Sequence, residues 1–166
     1  MPSLHFQKIL YLSSSAEKLR AQLSGQSLTR QQATPLRDDI STDEITPVAI
    51  LSHYDDKLGD YAHTGLQVEG ESPVGVRTLR TSGFDVLVAG RRYGKGSSRE
   101  HSPAAEKLAG VRLVFAESFE RIYRQNADNI GLFTSTDLGL VARIQRGDVI
   151  SVEELVADRD ALAASI

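Results

Sequence analysis

The sequence predicts an α/β domain containing a mixed sheet and a βαβ unit, and three observations carry that expectation. Phe84 to Gly90 (FDVLVAG) is an apolar run that ends in glycine and opens into a glycine-rich loop. Arg99 to Gly110 then has the pattern of a helix, and Val111 to Ala116 (VRLVFA) is a second apolar run. Strand, loop, helix and strand within about 30 residues form a βαβ unit with parallel strands. Both apolar runs are strand-sized, far below the roughly 20 residues that a membrane helix needs.

The other elements follow in order. Leu4 to Leu12 is apolar enough for a strand, and Ser14-Ser15-Ala16-Glu17 has the spacing of a capping box that starts a short helix. Leu19 and Leu23 share a helical face, and Gly25 suits the stop. Gln26 to Arg37 is polar and unpatterned. Residues 1–35 are therefore expected to be an N-terminal appendage, and residues 36–166 the main domain. Asp38 to Gly83 is punctuated by Gly and Pro, which predicts short strands and long loops of the kind that carry function. In the helix of the βαβ unit, Ala104, Ala105 and Leu108 are expected to face inward. Glu117 to Asn129 reads as a further helix, with Phe119, Ile122 and Tyr123 at helical spacing. Asp137 to Ile150 predicts one or two short strands, and residues 152–166 a terminal helix.

Composition narrows the function classes. The 166 residues include 19 Lys plus Arg and 22 Asp plus Glu, a formal charge of −3, and the pI is near 5.8. A uniformly basic nucleic-acid binder is not expected at that balance. The first residues, MPSLHFQK, lack a basic region leading into an apolar run, so no signal peptide is expected, nor a membrane partner. There is no cysteine. That excludes disulfides, cysteine nucleophiles and any thiolate-held metal centre built by this chain alone, and a cytoplasmic location is expected.

Two motifs concentrate the chemistry. The loop Gly90-Arg91-Arg92-Tyr93-Gly94-Lys95-Gly96-Ser97-Ser98 is not a Walker loop, because three residues rather than four separate Gly90 from Gly94-Lys95, and Gly follows the Lys. Nor is it a dinucleotide fingerprint, since Arg99 stands where a third glycine belongs. Glycines let a backbone approach a ligand closely, a helix N-terminus favours an anion, and Arg99 offers a planar fork for a carboxylate. Two readings stay open: a carboxylate-binding corner with a hydroxyl in it, or serines that merely cap a helix beside a surface arginine. A Ser97/His101 hydrolase pair lacks the Gly-x-Ser-x-Gly elbow. The second motif is Asp38-Asp39-Ile40-Ser41-Thr42-Asp43-Glu44-Ile45-Thr46-Pro47. Its acids do not have calcium-loop spacing, and on residue types alone it reads as a capped turn. His5, His53, His63 and His101 show no zinc-type spacing.

Together, DDISTDEITP and YGKGSSREHSPAAEKLAGVRLVFAESFERIYRQNADNIGL resemble the two signature blocks of the swivelling domain of the aconitase superfamily. The resemblance covers roughly Asp38 to Ile150 and implies a swivelling β/β/α fold. It further implies the small subunit of a two-chain iron–sulfur hydro-lyase/isomerase acting on a 2-/3-substituted malate of the isopropylmalate type. A [4Fe–4S] cluster would be carried by the partner large subunit, with none bound by this chain. By position, Ser97 matches the family's catalytic base. Ser98 and Arg99 match carboxylate binders, and Thr42 and Asp43 match the active-site Thr-Asp pair. Lys95 and the pair Arg91-Arg92 depart from the smaller or more neutral residues of the family pattern.

The resemblance also implies that the loop after the Thr-Asp pair contacts the variable substituent of the substrate, and that tricarboxylate-using relatives place an arginine there. Here that loop contains Ile50, Leu51, Ser52 and His53, with no Arg or Lys before Lys57. The expectation is a dicarboxylate with an apolar substituent, provided that Arg91 and Arg92 stay outside the pocket. Homoaconitate or another alkyl- or arylmalate hydration is the alternative activity, and a non-catalytic carboxylate-binding module is the alternative class.

Overall fold

The computed structural model describes residues 3–47, 56–96 and 100–155. The described residues contain six strands: β1 (Ser3–Leu4), β2 (Ile9–Tyr11), β3 (Val86–Ala89), β4 (Leu113–Ala116), β5 (Phe133–Ser135) and β6 (Ile150–Ser151). Seven α-helical segments that lie wholly within the described residues accompany them: α1 (Ala16–Leu23), α2 (Arg30–Ala33), α3 (Thr42–Ile45), α4 (Thr78–Ser82), α5 (His101–Leu108), α6 (Arg121–Ile130) and α7 (Gly139–Gln145), with a 3₁₀ helix over Asp56–Tyr61. Among the described residues no helix is long and apolar enough to cross a membrane.

The α/β class holds, but in place of the expected mixed sheet the described strands form one parallel sheet and one antiparallel ribbon. Four strands form a parallel sheet in the order β2-β3-β4-β5, and β1 pairs antiparallel with β6 in a separate ribbon. The βαβ unit is β3-α5-β4, with Val86 opposite Leu113 and Ala89 opposite Ala116. Both strands are buried along their whole length, as parallel strands covered on two faces must be. One face packs Leu87, Ala89, Val114 and Ala116 against α1, α5 and α6. The other packs Val86, Val88, Leu113 and Phe115 against α7 and Leu155. The Asp85 carboxylate fixes the start of β3 by accepting the backbone N–H groups of Gln7 and Lys8, at 2.9 Å each at closest.

The segment expected as an appendage supplies a strand of this sheet. β2 pairs in parallel with β3, Ile9 opposite Val86, and Leu10, Leu12, Ala16 and Leu19 lie in the core. Its polar stretch is ordered by α2, whose capping box joins Thr29 and Gln32. Helix α1 starts one residue later than its capping pattern suggested: Ser15 is the N-cap and accepts from the Lys18 N–H, while the Ser14 hydroxyl donates to Pro35 O. Gln22, on the same helix, is buried. Its side-chain carbonyl accepts the Tyr11 N–H and its amide donates to Tyr11 O, each at 2.9 Å.

Four expectations need correction. The described part of residues 38–83 holds helical turns rather than short strands, because its acids and hydroxyls cap helices instead of pairing. Leu108 is exposed, whereas Glu106 is buried, because the packed side of α5 runs through Ser102, Ala105, Glu106 and Ala109. At the end of α5 the backbone comes too close to Gly59 for a side chain there: a Cβ on Gly59 would lie 2.8 Å from the Leu108 carbonyl carbon. Ile122 is half-exposed, and α6 buries Tyr123 and Ala127. Half of the span Asp137 to Ile150 is helix α7, with strand only at its end. Of the expected terminal helix, residues 152–155 are helical and the rest lies outside the described residues.

Candidate functional site

The two motif blocks lie against each other. Gly94 N–H and Lys95 N–H both donate to Ile40 O, at 2.8 and 3.2 Å, and Thr42 N–H donates to Lys95 O at 2.8 Å. Ser41 thereby forms a parallel bridge to Lys95. The glycines make this approach possible. A Cβ on Gly90 would sit 2.1 Å from Asp38 Oδ1, and one on Gly94 would sit 2.4 Å from Tyr123 Cβ. Gly94 and Gly96 also have φ of +86° and +109°, which L side chains rarely adopt. A Cβ on Gly96 would be 3.3 Å from Thr42 Oγ1, so the Thr42 hydroxyl borders the residue immediately before Ser97.

Thr42 and Asp43 open α3. Thr42 is buried and Asp43 exposed. Ser41 caps the helix by accepting the Glu44 N–H at 3.1 Å, and Glu44 returns the contact by accepting the Ser41 N–H at 3.2 Å. Arg37 grips the Glu44 carboxylate with both guanidinium nitrogens, at 2.6 and 3.0 Å. At the other end of α3, Thr46 shares a 2.9 Å hydrogen bond with Ser102 in the first turn of α5. The Thr-Asp segment is thus tied at both ends to the elements that flank residues 97–99.

Burial works to raise the Glu44 pKa, but the Arg37 guanidinium and the backbone amides of Gln67 and Ser41 outweigh it and hold the group below its usual 4.5. A depressed carboxylate stabilises the fold above its unfolded pKa and loses that contribution as pH falls through the folded value. Glu44→Gln removes the contribution at every pH. Its stability is expected to fall less steeply than the parent's below pH 4.5 in acid denaturation followed by circular dichroism; parallel curves would contradict this.

A second tie joins the blocks at the surface. Arg92 binds Asp39 with Nε and Nη2, the latter at 2.8 Å, and Arg91 lies 3.5 Å from the Asp38 carboxylate. Asp38 Oδ1 also accepts the Arg91 N–H at 2.7 Å. The hydrogen bond from Arg92 is the main reason that the Asp39 pKa is lowered to about 2. Asp39 and Arg92 both have positive φ, 55° and 56°, so the pair forms where each chain turns sharply. Lys95 Nζ stands 3.9 Å from the same Asp39.

Of the residues singled out from sequence, Ser97, Ser98 and Arg99 lie outside the described residues, as do Ile50, Leu51, Ser52 and His53. The described residues on either side are Gly96, which lies beside Thr42, and Glu100, the N-cap of α5. Arg91 and Arg92 pair with the aspartates of the first block.

Sequence reasoning missed the group beneath the loop. Tyr93, His63, Glu106 and Tyr123 are at most 2% exposed and mutually hydrogen-bonded. Their positions lie as much as 60 apart in sequence without shared spacing, and only the helical spacing of Tyr123 with Phe119 and Ile122 hinted at burial.

Residues 39–136 match the aconitase C-terminal domain family, and the chain belongs to that family. Its relatives include the 3-isopropylmalate dehydratase small subunit of Halothermothrix orenii, 38% identical over 117 residues, covering 70% of this chain and 67% of the relative. The protein of the same name from Syntrophus aciditrophicus is 40% identical over 116 residues, with the same coverage, 70% and 67%. The crystal structure of 3-isopropylmalate dehydratase (leuD) from Methanocaldococcus jannaschii aligns at 37% identity and a TM-score of 0.49, over 58% of this chain and 55% of that one. The chain therefore spans 67% of these two curated relatives and just over half of the solved one.

Proposed function

We propose that this chain is the small subunit of a two-chain iron–sulfur hydro-lyase/isomerase that dehydrates and rehydrates an isopropylmalate-like substituted malate in the cytoplasm. The observation that carries the reading is the lacing of Ile40, Ser41 and Thr42 onto Gly94 and Lys95, with the Thr42 hydroxyl at Gly96. It supports a single site made from the Thr-Asp pair and the Ser-Ser-Arg run. Family membership and the names of the relatives support the same assignment.

In this reading Ser97 takes a proton from a carbon beside a carboxylate. Arg99, Ser98, Thr42 and Asp43 hold the substrate's carboxylates, the arginine through two parallel hydrogen bonds. Loss of that proton and of the hydroxyl on the adjacent carbon leaves an alkene diacid, and water added in the opposite sense gives the isomer. The chain has no cysteine, and among its described residues no group of His, Asp and Glu is arranged to hold a metal. The residues present do not fit an iron–sulfur cluster, which this reading assigns to the large subunit.

Reconstitution tests the proposal. The purified chain is expected to be inactive alone and to support isopropylmalate turnover when combined anaerobically with a large subunit. Alkene formation followed by ultraviolet absorbance is the measurement. Full dehydratase activity from the chain alone would overturn the assignment.

A further inference from the structure

The buried carboxylate beneath the glycine-rich loop has three donors. Glu106 Oε2 accepts from the Tyr93 hydroxyl and, at 2.8 Å, from His63 Nε2, while Oε1 accepts from the Tyr123 hydroxyl at 2.5 Å. Tyr93 has one proton and gives it to Glu106, so the 3.0 Å contact between its oxygen and His63 Nε2 requires the proton to sit on that nitrogen. His63 Nδ1 is left buried without a partner. Burial first, and then the Glu106 charge, pushes both tyrosines well above the usual value of 10, so both remain donors.

Each member of the group belongs to a different part of the site. Tyr93 is in the loop, one residue before the Gly94 and Lys95 amides that bind Ile40 O. Its own N–H donates to Ser118 O, and its carbonyl accepts the Glu120 N–H at 2.9 Å. Glu106 is on α5, which begins just after residues 97–99. His63 N–H donates to Ile45 O at the end of α3, and Tyr123 is on α6 with its Cβ against Gly94. A carboxyl group out of water needs its hydrogen-bonding partners in place, so loop, α3, α5 and α6 are held to one centre.

We propose that Tyr93 is a positioning residue for the reaction: its hydrogen bond to the buried Glu106 fixes residues 94–96, which lead in sequence into the Ser-Ser-Arg run. The inference rests on the reading of residues 97–99 as the reacting loop. Tyr123 donates to the same carboxylate from within a helix, which its own backbone hydrogen bonds support, so its hydroxyl holds the core and not the loop.

The test compares two substitutions that each remove one hydroxyl from one carboxylate, in the full chain reconstituted with its large subunit. Tyr93→Phe is expected to lower kcat by about 10- to 100-fold with KM within about twofold, the size of effect that a small misplacement of a reacting group produces. Tyr123→Phe is expected to lower kcat by less than about threefold, although thermal denaturation shows a similar loss of stability for both. Equal falls in kcat overturn the proposal, because a core that merely packs would not distinguish the two. Amide hydrogen exchange on the chain itself provides a readout independent of turnover. Gly94 and Lys95 amides are expected to be protected in the parent and in Tyr123→Phe, and to exchange faster in Tyr93→Phe. Fast exchange of both amides in the parent also overturns the proposal, and it decides alone if Tyr93→Phe does not fold. Absence of isopropylmalate turnover in the parent complex would instead count against the assigned function and leave the exchange result standing.

Discussion

Ser97→Ala is expected to lower kcat by about 10²-fold or more, the usual cost of losing a general base, with KM and large-subunit binding unchanged. A serine hydroxyl is a poor base in water, and its conjugate alkoxide needs stabilisation from nearby positive charge and N–H groups. The sequence supplies Arg99 two residues on, and α5 begins at His101 without a capping hydrogen bond from the Glu100 side chain. The glycines before Ser97 bring the chain at Gly96 to Thr42, one of the residues proposed to hold the substrate. The substitution exchanges a hydroxyl for hydrogen and adds no bulk. Steady-state kinetics on the reconstituted complex is the measurement, and retention of more than about a tenth of kcat would remove Ser97 from the proton-transfer step.

The second large effect is selectivity. The complex is expected to favour isopropylmalate over homocitrate by about 10- to 150-fold in kcat/KM, the value of one missing charge-assisted hydrogen bond at roughly 1.5–3 kcal/mol. The loop after the Thr-Asp pair contains Ile50 and Leu51, then Asp55 and Asp56, and no cation before Lys57. Arg91 and Arg92 were the remaining candidates for a third carboxylate. Arg92 is held by Asp39 through two hydrogen bonds, and the Arg91 guanidinium faces Asp38. Drawing either into a pocket would separate it from its aspartate. A preference for the tricarboxylate would show that one of these pairs opens, and Asp39→Asn or Asp38→Asn would then identify which.

The βαβ unit was legible because buried parallel strands are continuous apolar runs and glycines mark their ends, as at Phe84 to Gly90. The two motif blocks were legible by residue type, and their contact was not. The bond from Thr42 N–H to Lys95 O joins positions 53 residues apart through backbone atoms that every residue carries. The burial of polar side chains was not legible: Gln22, His63 and Glu106 are buried because hydrogen-bonding partners arrive from distant segments. Once Glu106 points inward, the packed side of α5 rotates and Leu108 faces out. The polar stretch from Gln26 likewise gave no sign that the strand before it joins the sheet.

Gln22 has a consequence for how the protein keeps to itself. β2 is an edge strand, and an open edge presents backbone donors and acceptors to which another chain can add. At Tyr11 both outward groups are already taken, the N–H by the Gln22 carbonyl and the C=O by its amide, so a single side chain stands where a neighbouring strand would pair. An invading chain would have to evict a buried amide and break two hydrogen bonds, each worth about 0.5–1.5 kcal/mol, before its first rung could form. The edge carries its own stopper, and self-association by sheet extension is blocked there by one glutamine of α1.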